Sequence, residues 1–425
     1  MKKIVVLGAG VMGLACAYEL LKKGHKVDIY EADDRIGGMS AHFDFNGLSI
    51  ERYYHFICKT DDDLFSYLEE FGISDKLHWV DTHMGYFYDG KLYKWGNPLA
   101  LFTFPKLDLI SKFRYALHAF ISTKRSDWSK LDNMEASQWI KKWIGNKAYK
   151  VLWEKLFALK FYDYKDNLSA AWIWTRIRRI GLSRKSLLQE QLGYIEGGSE
   201  TLLLEFQKKI EALGGNIILS TPVEQIISEH NQATGIKIKG EAINYDAVVS
   251  TAPLPFVPSL VPNLEEKDKT KYLNIKNIAV VCLVFKLKRP ITHNFWLNVN
   301  DKNIEVPGII EFSNLRPFDS NIVYVPYYLP QEHEKFSYSD KEFKQEATAY
   351  LKMIQPELLD EEIIDIHVSR YRYAQPICPP GFLSTLPEIK NSIKNLYIAD
   401  TSYYYPEDRS ITESVKLGKR LAEMA

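Results

Sequence analysis

Near the start of the chain, Gly8-Ala9-Gly10-Val11-Met12-Gly13 stands between an apolar run, Ile4 to Leu7, and a helical pattern from Leu14 to Lys23. This is the spacing GxGxxG, set between a strand and a helix. The first glycine permits a tight turn, the second lets a pyrophosphate approach the backbone, and the third lets helix and strand pack closely. The helix start then offers free N–H groups and the positive end of its dipole to phosphate. Glu31 closes the next apolar run, Lys26 to Tyr30, where a carboxylate can accept hydrogen bonds from ribose hydroxyls. Gly8, Ala9, Gly10, Met12, Gly13, Glu31 and Ala32 are therefore the expected dinucleotide-binding residues.

A second group with chemical reach lies in the middle of the chain. Arg176 and Arg179 are three apart, share a helix face, and stand beside Trp172 and Trp174. Two guanidinium groups so placed could grip a diphosphate, with the tryptophans as a stacking wall or as packing. The same spacing also suits a solvated basic face.

These residues need elements to hold them. Residues 1–31 read as a βαβ unit, and 61–72 as a capped amphipathic helix ended by Gly72. From about 99 to 192 the pattern is helical and rich in Trp, Phe and Lys. A second α/β stretch follows: a helix from Thr201 to Leu213, then strands at Ile217–Leu219, Val223–Ile227, Ala233–Ile238 and Tyr245–Ser250. Strands are expected at Ile278–Phe285, Gly308–Phe312 and Ile322–Tyr328, a helix at Asp340–Ile354, and a short strand at Asn395–Ala399 before a C-terminal helix. This alternation implies a discontinuous dinucleotide-binding domain, residues 1–78, 193–255 and 385–425. A substrate domain, 79–192 and 256–384, interrupts it, its first part mainly helical.

Composition limits the partners. Lys+Arg and Asp+Glu both total 54 in 425 residues, so there is no basic excess for a nucleic-acid polymer. The four cysteines, Cys16, Cys58, Cys282 and Cys378, show no metal-ligand spacing and suit a reduced, cytoplasmic protein. Met1-Lys2-Lys3 and the apolar run after it imitate a secretory leader, but the βαβ unit explains that run better. No apolar run reaches the ~20 residues of a membrane span. The stretch Leu99 to Ile121, apolar and aromatic with Lys106, Lys112 and Arg114 interspersed, fits either the core of a helical domain or a helix on the inner face of a membrane. The core is the expectation.

After Glu31 come five residues and then Gly37-Gly38. Here the sequence resembles the flavoprotein superfamily of amine oxidases, protoporphyrinogen oxidases and phytoene desaturases. Its members usually carry Arg after that glycine pair, whereas this chain has Met39-Ser40. Tyr194-Ile195-Glu196-Gly197-Gly198-Ser199-Glu200-Thr201-Leu202 resembles the family's second Gly-Gly turn. Thr221-Pro222-Val223 resembles its adenine-reading segment, and Asp246 to Pro253 its strand-to-crossover signature. Leu396-Tyr397-Ile398-Ala399-Asp400-Thr401 looks like its Gly-Asp motif, with Ala399 in place of glycine, followed by a helix from about Ile411. The resemblance implies FAD as cofactor and a Rossmann-like α/β FAD-binding domain in three segments, beside a substrate domain of mixed sheet plus helices. It adds Gly38, Met39, Ser40, Val223, Asp400, Ile411 and Thr412 to the cofactor-binding set.

The resemblance also places Glu51-Arg52-Tyr53-Tyr54-His55-Phe56 beside the flavin ring. That segment, and Tyr403-Tyr404-Tyr405-Pro406-Glu407-Asp408-Arg409, is similar in part to UDP-galactopyranose mutases. His55, Tyr54 and Tyr404 are the implied catalytic residues. Arg370-Tyr371-Arg372 falls where family chains re-enter the flavin domain, so Arg370 or Arg372 is expected to look into the cavity, and Arg372 joins Arg176 and Arg179 as a candidate substrate-binding residue. The implied activity is hydride transfer between an organic substrate and flavin N5. The alternative is a flavin-dependent isomerase of a nucleotide sugar, and a third reading is a flavin-bound scaffold. The substrate is expected to be a small molecule, phosphorylated or lipid-like.

Overall fold

A computed structural model describes all residues, 1–425. The strand Lys3–Leu7 is the middle of a five-stranded parallel sheet whose order is Leu396–Ile398, Ala247–Ser250, Lys3–Leu7, Lys26–Tyr30 and Asn216–Ile218. Its side chains alternate between two cores. Ile4 and Val6 face the helices, whereas Val5 and Leu7 join the larger cluster shared with the rest of the molecule. A central parallel strand must be apolar on both faces, which is why this segment reads as one continuous hydrophobic run. Helices Val11–Lys22, Ser199–Ala212 and Ile411–Met424 cover one side. The sheet thus draws its strands from three separated stretches of chain, as expected. A three-stranded antiparallel sheet, Gln225–Glu229, Gln232–Ile238 and Glu241–Asn244, lies between two of its strands in sequence.

The second sheet has seven strands, ordered Ile363–Pro376, Asn277–Leu287, Asn321–Pro330, Gly308–Glu311, Trp296–Asn300, Met84–Tyr88 and Lys91–Trp95. All neighbours are antiparallel except Trp296–Asn300 with Met84–Tyr88. The long strand Ile363–Pro376 carries charged and aromatic residues in near alternation, because one face packs and the other meets water or the cleft. That mixture leaves no apolar run in the sequence to mark it.

Helices Leu109–Lys124, Ala136–Tyr149, Lys155–Phe161 and Ala170–Leu182 form a third layer. Trp172 and Trp174 are fully buried in it, and the Trp174 indole donates to the Ser122 carbonyl at 2.9 Å. They are packing residues, not a stacking wall. The stretch Leu99 to Ile121 departs from expectation: much of its apolar side faces outward instead of forming core. No helix is long and apolar enough to cross a membrane.

Candidate active site

A cleft of ≈ 1170 Å³ runs between the parallel sheet and the seven-stranded sheet. One end is the glycine-rich turn. Gly8 has φ +102°, in the left-handed region, and a Cβ on Gly13 would lie 1.9 Å from the Gly8 carbonyl oxygen. A Cβ on Gly10 would instead meet no atom within 4 Å, because its open side is the cleft. The two glycines therefore serve different ends, one for packing and one for the approach of a ligand. Glu31 sits across this turn and accepts from the Ala9 N–H at 2.7 Å and the Asp33 N–H at 2.9 Å. Its carboxylate fixes the turn as well as facing the cleft.

Gly8, Gly10, Met12, Glu31, Ala32, Gly38, Met39, Ser40, Val223, Asp400 and Ile411 all line the cleft. Ala9 and Gly13 stand behind its wall. Thr412 also stands back, its hydroxyl accepting from the Leu64 N–H at 3.3 Å. Asp400 is buried, and its carboxylate accepts from the Leu254 and Ser402 N–H groups at 2.9 and 2.8 Å. Burial raises its pKa, against the pull of those donors. Ser410 caps the helix Ile411–Met424, whose first turn opens on the cleft. Where family members carry Arg after the glycine pair, Met39 lines the wall and Arg35 and Arg52 reach the cleft from nearby, paired with Asp34 and Asp33.

The far end of the cleft is aromatic. Tyr54 shares a hydroxyl hydrogen bond of 3.2 Å with Tyr328 and packs edge-on against Trp296. His55 also lines the cleft. Its Nε2 lies 3.4 Å from the Ser40 hydroxyl, while its buried Nδ1 has no partner within the protein. Burial pushes its pKa down to about 4, so near neutral pH the ring is uncharged and can still donate or accept a hydrogen bond. Of the three consecutive tyrosines only Tyr404 lines the cleft, its hydroxyl 2.8 Å from that of Ser414. Tyr403 and Tyr405 turn away to the Pro387 carbonyl and to Ser169.

The expected substrate arginines fare differently. Arg372 is outside the cleft, its guanidinium over the Phe336 ring. Arg370, two residues earlier, is among the residues at the cleft, but its guanidinium turns to Asp340 and to the Tyr338 carbonyl. Arg176 lies behind the wall, bonded to Asp408 at 2.9 Å and 4.2 Å from the Trp172 ring. Arg179 reaches the cleft, but Asp61 grips it at 2.9 and 3.1 Å. Both of the helix arginines are thus engaged in partly buried ion pairs, neither a solvated face nor a free anion clamp.

Lys160 was not foreseen. It closes the aromatic end with its ammonium 4.9 Å from the Tyr328 ring centroid. Burial, and then the positive charge of Arg176, push its pKa down to about 7 against the pull of Asp408. Burial also opposes ionisation of Asp408, but Arg176, Lys160 and Arg409 overcome it and hold that carboxyl low. Nothing in the local sequence marks Lys160, which is one of many lysines in a helical stretch.

The cleft therefore joins a glycine-rich turn, the Glu31 carboxylate, a helix start and an aromatic chamber in one continuous space. It fits a flavin dinucleotide: the open side of Gly10 leaves room for a pyrophosphate, and the far end has a chamber lined by Tyr54, His55 and Tyr328. This is the architecture of an FAD flavoprotein. Residues 12–407 match the family of flavin containing amine oxidoreductases, and the chain belongs to that family. It is 22% identical over 294 residues to the 15-cis-phytoene desaturase of Synechococcus elongatus, covering 61% of this chain and 60% of that one. It is 27% identical over 295 residues to the zeta-carotene desaturase of Solanum lycopersicum, covering 61% and 49%. The chain thus spans about half to three-fifths of these two relatives. In fold it is similar to a protein described as a protoporphyrinogen oxidase from Exiguobacterium sp. 255-15, at TM-score 0.77 and 18% identity over 100% of this chain and 98% of that one. A reduced UDP-galactopyranose mutase superposes at TM-score 0.75 with 16% identity, covering 100% and 95%. FAD is the cofactor.

Proposed function

We propose that the chain is an FAD-dependent oxidoreductase that moves hydride between a small, largely apolar organic substrate and the flavin. The observation that carries this reading is the continuity of the cleft, from the dinucleotide turn to a chamber walled by Tyr54, Trp296, Tyr328 and Cys282. The flavin supplies the redox chemistry at N5, and the chain supplies position, shielding from water and proton handling. The lipid-like substrates implied by the desaturase names of the relatives suit that apolar wall. A diphosphate suits it less, because Asp408 and Asp61 already engage Arg176 and Arg179. We assign the cofactor to a unit of residues 1–78, 193–255 and 385–425, and the substrate to 79–192 and 256–384.

Anaerobic mixing with candidate substrates, followed by flavin absorbance, tests the reading. Bleaching on mixing supports it. Turnover that appears only after the flavin has been reduced beforehand would favour the mutase-type isomerase instead, and no response to any substrate would favour a scaffold.

Within this proposal His55 holds a hydrogen bond in its neutral form, and Tyr54 and Tyr404 frame the reacting centre. His55→Ala should slow flavin reduction by roughly tenfold or more while changing FAD affinity little, the loss of one hydrogen bond made mainly to the reacting groups. Equal reduction rates in mutant and wild type would return His55 to a packing role. Lys160 is the candidate proton acceptor. As a base it works uncharged, so the rate of substrate oxidation should rise with pH through about 7. Lys160→Met should flatten that rise, and an unchanged profile in the variant would exclude Lys160 as its source.

A further inference from the structure

The helix Leu109–Lys124 is built inside out. Its inward face carries Ser111, Lys112, His118 and Ser122, all buried. Its outward face carries Leu109, Ile110, Phe113, Leu117 and Phe120, each between 52% and 73% exposed. These positions recur at helical spacing and form one stripe. Leu99 and Phe102, from the preceding helix Pro98–Thr103, extend it, and the rings of Phe102 and Phe113 meet at 5.2 Å.

The helix is not simply turned the wrong way, because its inward face is held by specific contacts, although the buried His118 Nε2 has no hydrogen-bond partner. Lys112 donates to the Phe102 carbonyl at 2.8 Å, the Ser122 carbonyl accepts from Trp174, and His118 lies against Trp139 and Trp143. Those contacts fix the rotation of the helix and leave the apolar stripe outside. A contiguous exposed apolar surface of this kind marks a place of contact.

Charge decides the occupant. Lys112 is buried inward and Lys106 pairs with Asp89 at 3.9 Å, so the basic rim of residues 98–125 is Arg114, Lys124 and Arg125, against a single acid, Asp108. Asp108 is engaged as the helix cap and by Lys147. Arg114 is held at the border of the stripe by the carbonyls of Lys142 and Trp143, which leave its charge uncompensated. A second copy of the chain, in a two-fold contact, would set this basic rim against itself. An anionic bilayer matches both features, the stripe sinking among the headgroups while the rim meets the phosphates.

We infer that residues 98–125 dock the protein on an anionic phospholipid surface, with Leu109–Lys124 lying in the plane of the membrane. The inference stands apart from the reaction proposed above and is tested without it.

The holoprotein is sedimented with vesicles of phosphatidylcholine alone and of phosphatidylcholine mixed with phosphatidylglycerol. A variant combining Ile110→Ser, Phe113→Ser and Leu117→Ser is run beside it. The three side chains are exposed, so flavin content and circular dichroism should stay as in wild type. Wild type should bind the anionic vesicles more tightly than the neutral ones, and the variant should partition at least about tenfold more weakly. Absence of binding to anionic vesicles, or equal binding by the variant, would overturn the inference. So would a dimer in light scattering that the variant converts to monomer, since that would give the stripe to a second copy.

Discussion

Gly10→Val should yield a folded protein that no longer holds FAD. The backbone of Gly10 has φ −67°, open to any residue, and a Cβ there meets no atom of the protein within 4 Å. Valine therefore leaves the fold in place while its methyl groups stand where the pyrophosphate must approach the start of the helix Val11–Lys22. Losing two charge-assisted hydrogen bonds, at about 1.5–3 kcal/mol each, weakens binding by roughly a hundredfold or more. Gly13→Ala makes the control. Its Cβ would lie 1.9 Å from the Gly8 carbonyl, so the helix itself must shift, and stability should fall along with cofactor binding. Thermal unfolding and FAD titration of the two variants separate the effects. FAD bound to Gly10→Val as tightly as to wild type would place the cofactor elsewhere.

Asp61→Ala should cost about 3–5 kcal/mol of stability, the range seen when one partner of a buried ion pair is removed. Asp61 is 2% exposed. It bonds Arg179 at 2.9 and 3.1 Å and accepts from the Cys58 N–H at 3.0 Å, just before the helix Asp62–Glu70. Without it, the Arg179 charge is left against Phe56 with no compensating group in contact. Adding Arg179→Met removes the orphaned charge and should recover part of the loss, a coupling that a double-mutant cycle in urea measures. If Asp61→Ala costs less than about 1 kcal/mol and the double variant recovers nothing, the pair is not what holds the helical layer to the flavin unit.

The cofactor end of the cleft was legible because its requirements are local. A tight turn, a backbone open to phosphate and a carboxylate at a strand end fall within a few dozen residues, and glycines mark them directly. The substrate end was not, because its wall converges from distant elements: Tyr54 from an early loop, Lys160 from the helical layer, Trp296 and Tyr328 from the second sheet. No spacing along the chain reports such convergence. Arg176 and Arg179 show how a correct local reading can mislead. They do share a helix face, yet their partners, Asp408 and Asp61, lie far away in sequence, and only the fold reveals that the charges are already matched. Arg372 failed for another reason: its guanidinium lies over the Phe336 ring, a contact between distant segments that no local spacing reports. The outward stripe of Leu109–Lys124 reversed the ordinary expectation that an apolar helix face seeks the core, because buried Lys112 and His118 hold the opposite face inward.

The central claim, that this cleft is an FAD site, is tested most directly by denaturing the purified protein and identifying what it releases. The account predicts a yellow protein that gives up FAD in about equimolar amount, neither FMN nor NAD, in keeping with a site that spans a pyrophosphate and a ribose. A colourless protein that cannot be reconstituted with FAD, or one that releases a different nucleotide, would contradict it.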